Sequence, residues 1–250
     1  MNRYTHYNLG EKIFNAIDVG IPQRNYMMKY NPDGIENQKR FFEELEIFDL
    51  FEKRVIIANS FGTSIVRIED ESFSGYKENA SNCQGHEGVI TAVPNLPLFV
   101  PFGDCPQLMI VGEKEIGLVH ATSRTLNKGV LSKFFDKFTQ ENNFSEIRVA
   151  FSPYLHQEHF THKIRLARAL SWIESEILQR ENEYHEDVKT RIVNELKIRG
   201  LREENILDLN IDTYELSKRS SEAGGYQTSH RQSTNKEGRS GLVLMIKDKF

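Results

Sequence analysis

The chain has 250 residues, enough for one sizeable core, and its 38% hydrophobic and 27% charged residues are those of an ordinary globular protein. A net charge of -4 without a basic stripe argues against a nucleic-acid partner, and two cysteines cannot build a disulfide framework. No run reaches the length of a membrane span and the start lacks the apolar core of a signal peptide, so no membrane partner and a cytoplasmic location are expected.

Taken in chain order, the first third supplies the short β-rich runs KRVIIANSF and TSIVRIED, a polar loop from Ser72 to His86, and then GVITAV. Three apolar runs punctuated by Pro and Gly follow, LPLFVPF, CPQLMIV and EIGLVHA. A helix is predicted from about Thr125 to Gln140, with Val130, Leu131, Phe134, Phe135 and Phe138 as its apolar face. EIRVAFSPYL reads as another strand. Thr161 to Arg199 reads as helical, first through Ile164, Ala167, Leu170, Ile173 and Ile177, then through Val188, Ile192, Val193 and Leu196 before a stop at Gly200. NILDLNI and GLVLMIKD supply closing strands. Strands and helices mix without a regular βαβ period, so an α+β fold, a layered α/β sandwich with mixed β-sheets, is expected.

Chemistry gathers at the hairpin CPQLMIVGEKEIGLVH. A two-residue loop at Gly112-Glu113 sets Cys105 opposite His120, and a four-residue loop makes them diagonal neighbours; either way they share a face. Directly opposed Cβ atoms lie roughly 5 Å apart, close enough for an imidazole to polarise a thiol or for both groups to bind a metal. The same spacing also describes a small buried thiol beside a hydrogen-bonded histidine. After His120 comes Ala-Thr-Ser-Arg-Thr and a helix, so backbone N–H groups, capping hydroxyls and Arg124 suit a phosphate or carboxylate, or form a plain cap beside a solvated Arg.

GDCPQLMI and HATSRTLNKGVL resemble the aspartate-cysteine and His-Ala-Gly-Trp-Arg-Gly motifs of the laccase-domain family, the YfiH type. GVIT, FSPYLHQEHF, EDVKTRIVNELKIRGLREENILDLNIDT and SHRQSTNKEGRSG match further family segments in order, and Glu36-Asn37 a weak early one. The resemblance implies one domain over residues 1–250, with 1–35 a divergent N-terminal segment. It implies zinc as cofactor, and purine nucleoside and phosphate as partners, in a monomer or small homo-oligomer that cleaves adenosine, inosine, guanosine or methylthioadenosine and deaminates adenosine. It assigns catalysis to Cys105, His120 and Asp104, phosphate or substrate binding to Arg124, Arg231, Arg239 and Ser229, and the metal to Cys105 and His120.

Two departures bear on that chemistry. The family's first metal histidine is replaced by Phe61, and the Gly-Trp before the arginine is Thr122-Ser123. The eight histidines include no H-x-H pair of the kind a multicopper site uses. His86, His156, His159, His162 and His230 are the remaining candidates for a replacement ligand. Two other functions stay open: a metal-free Cys-His hydrolase or deamidase, and a non-catalytic relative that binds a partner or a nucleoside.

Overall fold

The computed structural model describes residues 4–18, 32–57, 62–73, 83, 85–163, 177–180, 183–222 and 239–248. The chain begins with β1 (Tyr4–Thr5), β2 (Ile13–Asp18), α1 (Pro32–Glu44), β3 (Val55–Ile56), β4 (Ile65–Ile68), β5 (Gly88–Thr91) and β6 (Leu98–Phe102). It continues through β7 (Gln107–Val111), β8 (Ile116–His120), α2 (Ser123–Asn127), α3 (Val130–Phe138), β9 (Arg148–Phe151), β10 (Thr161–Lys163), β11 (Ile177–Arg180) and β12 (Glu183–Glu186). The last elements are α4 (Val188–Ile198), β13 (Ile206–Leu207), α5 (Thr213–Glu222) and β14 (Ser240–Ile246).

Alternation along the strands explains the layers. Met109, Val111, Ile116 and Leu118 of the six-stranded sheet β13-β9-β7-β8-β5-β4 pack against Leu98, Val100, Leu242 and Leu244 of the five-stranded sheet β1-β2-β14-β6-β3. The intervening residues Leu108, Ile110 and Val119 turn the other way, onto Phe134 and Phe138 of α3 and Ile192 of α4. The far face of the five-stranded sheet, Phe99 and Val243, is covered by Phe41 and Phe42 of α1. The result is an α+β sandwich of helix, sheet, sheet and helix. Both sheets mix parallel and antiparallel pairs; β4 and β5 run parallel, whereas β5, β8, β7 and β9 alternate.

The five predicted apolar positions of the helix after His120 are all buried. That helix is broken into α2 and α3 at Gly129, whose φ of 73° lies where glycine is favoured. Of the helical reading of Thr161 to Arg199, the second part, through Val188, Ile192 and Leu196, is α4, whereas the first is corrected: Thr161–Lys163, Ile177–Arg180 and Glu183–Glu186 are strands. Leu-, Glu- and Arg-rich sequence favours helix locally, but pairing of β12 with both β10 and β11 (Thr161↔His185, Arg180↔Glu183) supplies the hydrogen bonds instead. Residues 164–176 lie outside the described residues. Helix α1 was hidden by its polar composition, although Pro32 in its first turn is a helix-start signal.

Candidate functional site

Topology brings the chemistry to one end of the sandwich. β8 runs antiparallel to β5 and β7, so it ends at His120 where they begin; β9 and β13 end there too, releasing the segments that carry His156 and Asp212. In the second sheet β14 starts at Ser240 opposite Phe102, which puts the Asp104–Cys105 loop and Arg239 at the same end.

The ladder pairs Gly88 with Val119, so Glu87 stands directly across from His120, and the His120 N–H donates to the Glu87 carbonyl at 2.8 Å. Their side chains meet as well: His120 Nδ1 lies 2.7 Å from Glu87 Oε2, with Glu87 0% and His120 2% exposed. Glu87 Oε1 accepts the backbone N–H of Gly62 at 3.2 Å. A carboxylate only accepts, so in this pair Nδ1 carries the proton. Sequence reasoning missed Glu87 and noted its neighbour His86. Alternation was the available signal, because Glu87 shares the face of Val89, whereas His86 turns to Ser64 Oγ at 3.0 Å.

The hairpin uses the four-residue connection. Gln107 pairs with His120, and Cys105 lies two positions before it, in the bend that leads into β7. Cys105 is half-buried, and its carbonyl accepts Gln107 Nε2 at 3.2 Å. Gln107 itself is 1% exposed, and its Oε1 has no hydrogen-bond partner. Asp104 is anchored to two other loops: its Oδ1 accepts the Thr213 hydroxyl at 3.2 Å and its carbonyl accepts the Leu155 N–H at 2.8 Å.

The helix start after His120 is closed by its own residues. Thr122 caps α2 reciprocally with Thr125, and the Ser123 hydroxyl donates to the buried carboxylate of Glu186, which lies 3.7 Å from the Arg191 guanidinium. Arg124 is exposed and Arg239 half-buried. Phe61, Ser229, His230 and Arg231 lie outside the described residues. Burial first, and Asp208 second, raise the Tyr7 and Tyr154 hydroxyls far above the ordinary phenol range, so both serve as donors, to the Phe151 carbonyl and to Asp208.

A second set of donors lies beyond Leu155. His156, Glu158 and Asp212 each offer an atom within 4.8 Å of the others. Asp212 Oδ2 also meets His159 Nδ1 at 2.5 Å, and the His159 ring stacks on Tyr214 with centroids 4.1 Å apart.

The family described as multi-copper polyphenol oxidoreductase laccase matches this chain over residues 31–247. The chain belongs to that family. Among solved structures, Bacillus licheniformis hypothetical protein YfiH is similar, with a TM-score of 0.78 and 20% identity over 94% of this chain and 93% of that one. YlmD from Geobacillus stearothermophilus superposes with a TM-score of 0.76 and 18% identity over 99% of this chain and all (100%) of its own. A Neisseria meningitidis protein does so at 0.73 and 12% over 99% and 100%. At such identities these likenesses establish the laccase-domain fold. No curated protein matches the chain. No helix among the described residues is long and apolar enough to cross a membrane.

The laccase-domain label implies copper and the motif resemblance implies zinc; among the described residues, no three-donor set for either includes His120. Glu87 holds His120 Nδ1, and Phe61, at the position of the family's first metal histidine, has no donor atom. Catalytic zinc takes three protein ligands. The one three-donor cluster among the described residues includes neither Cys105 nor His120.

Proposed function

We propose that this chain is a purine nucleoside phosphorylase-like enzyme working without a metal at Cys105 and His120, and the observation that carries the reading is the buried Glu87–His120 pair. Phosphorolysis needs a nucleophile held near C1′ and a proton for the departing base. A phosphate oxygen attacks C1′, the C1′–N9 bond breaks, and its electron pair enters the purine, which takes a proton at N7 from His120 Nε2. That proton is one that Nε2 first takes from dihydrogen phosphate, which becomes the ester, so the ring ends as it began. Glu87 orients the imidazole and balances its charge while it carries the extra proton. Ser123 already serves Glu186, so phosphate falls to Arg124 and Arg239, with Arg231 and Ser229 as the further family positions. The test is release of free base from inosine, guanosine, adenosine and methylthioadenosine, measured with and without phosphate. Base release that requires phosphate supports the reading; no release from any of the four removes it. Deamination is not expected, because nothing at this pair lowers the pKa of a water as zinc does.

A second reading, a Cys-His hydrolase or deamidase, is favoured by one observation: Cys105 lies two residues before Gln107, the ladder partner of a histidine already held by a buried carboxylate. Alkylation separates the two. Burial pushes the Cys83 thiol up to about 12, so near neutral pH iodoacetamide is expected to label Cys105 alone in the folded protein. A labelling rate that persists well below about pH 8.5 and collapses in His120→Asn would establish the thiolate; an ordinary thiol profile removes this reading.

A further inference from the structure

His156, Glu158 and Asp212 carry an inference independent of the proposed reaction. We propose that they form a divalent transition-metal site separate from Cys105 and His120. A tetrahedral ion with bonds of about 2.1 Å holds its ligands roughly 3.4 Å apart. Donor atoms already within 4.8 Å therefore close on an ion with a small rotation of the exposed Glu158 side chain.

The state of His156 is what distinguishes this cluster from incidental surface carboxylates. Its Nδ1 stands 4.0 Å from Asp212 Oδ2, beyond hydrogen-bond reach and well placed for an ion between them. The ring is held from the side by Tyr154, centroids 5.0 Å apart. Asp212 is equally fixed. Its Oδ1 accepts the Tyr214 N–H at 2.9 Å and its Oδ2 is braced by His159, leaving a second lone pair on that oxygen. Two of the three ligands are thus preorganised, and the third swings in from solvent.

One imidazole with two carboxylates suits Zn²⁺, Mn²⁺ or Fe²⁺; the imidazole selects against Mg²⁺ and the absence of sulfur against Cu⁺. The ion would tie the loop after β9 to the start of α5, two segments already joined by the Tyr154–Asp212 bridge and both bonded to Asp104. A bound ion would therefore stiffen the two segments that anchor Asp104.

The experiment is calorimetric titration of Zn²⁺ alone into the metal-stripped full chain, with thermal melts in parallel. Wild type and the Cys105→Ser/His120→Asn double variant are both expected to bind one equivalent and to melt higher with zinc. Glu158→Gln, on the exposed side, is expected to weaken binding about tenfold or more with an unchanged metal-free melting temperature. Failure of the wild type to bind would overturn the site, as would binding that survives Glu158→Gln but is lost in the double variant.

Discussion

His120→Asn is expected to lower kcat for phosphate-dependent nucleoside cleavage by roughly 10²–10⁴, the range over which a positioned general acid acts. Asparagine is the informative replacement because its amide nitrogen overlays Nδ1. The buried hydrogen bond to Glu87 survives, so the melting temperature should hold, while the group at Nε2 is gone. Alanine would leave a 0% exposed carboxylate without its imidazole and confuse folding with catalysis. Two companion variants locate the effect. Glu87→Gln keeps the shape and removes the charge, and a loss of roughly a hundredfold or more is expected in kcat with little change in KM. Cys105→Ser should retain most activity, because the thiol takes no part in the proton transfer. Full activity in His120→Asn would sink the phosphorylase reading, and an inactive Cys105→Ser with an active thiolate would replace it by the cysteine mechanism.

How much of this was legible in the sequence depends on the range of the interaction. Strands β5 to β8 are buried on both faces and punctuated by Pro and Gly, so their apolar runs announce them. Hairpin parity allows two registers, and the pairing of Gln107 with His120 is the four-residue one. No parity argument reaches Glu87, because its place beside His120 depends on β5 pairing with β8 across 33 positions, a pairing no local pattern encodes. The His156–Asp212 contact is more remote still, made by two loops that meet only because β13 runs parallel to β9. FSPYLHQEHF displays its histidines and Glu158, but Asp212 lies 56 positions beyond His156. The same limit explains the error at Thr161 to Arg199, where helical periodicity outweighed strand pairings that the local sequence does not signal.

The largest stability loss is expected at Phe134, where Phe134→Ala should cost about 3–5 kcal/mol. The ring is 0% exposed, stacks on Phe138 with centroids 5.4 Å apart, and lies across two strand glycines. A Cβ built on Gly117 would meet Phe134 Cζ at 2.3 Å, and one on Gly88 would meet its Cδ2 at 3.2 Å. Gly88 and Gly117 belong to neighbouring strands, so the ring fills a hollow that only glycines leave, directly behind the residues that begin β5 and end β8. For a chain of this size each kcal/mol moves the melting temperature by roughly 2–4 °C, which makes the loss easy to read in a thermal melt. Gly117→Ala should cost about 1–3 kcal/mol by overpacking. The decisive measurement is the double-mutant cycle. With the ring removed the new methyl enters the cavity, so Gly117→Ala should become neutral or stabilising in the Phe134→Ala background. Additive losses would mean that the two do not share this space. Because Glu87 directly precedes Gly88, and His120 closes the strand that carries Gly117, Phe134→Ala is also expected to lower kcat for nucleoside cleavage at temperatures where the variant remains folded.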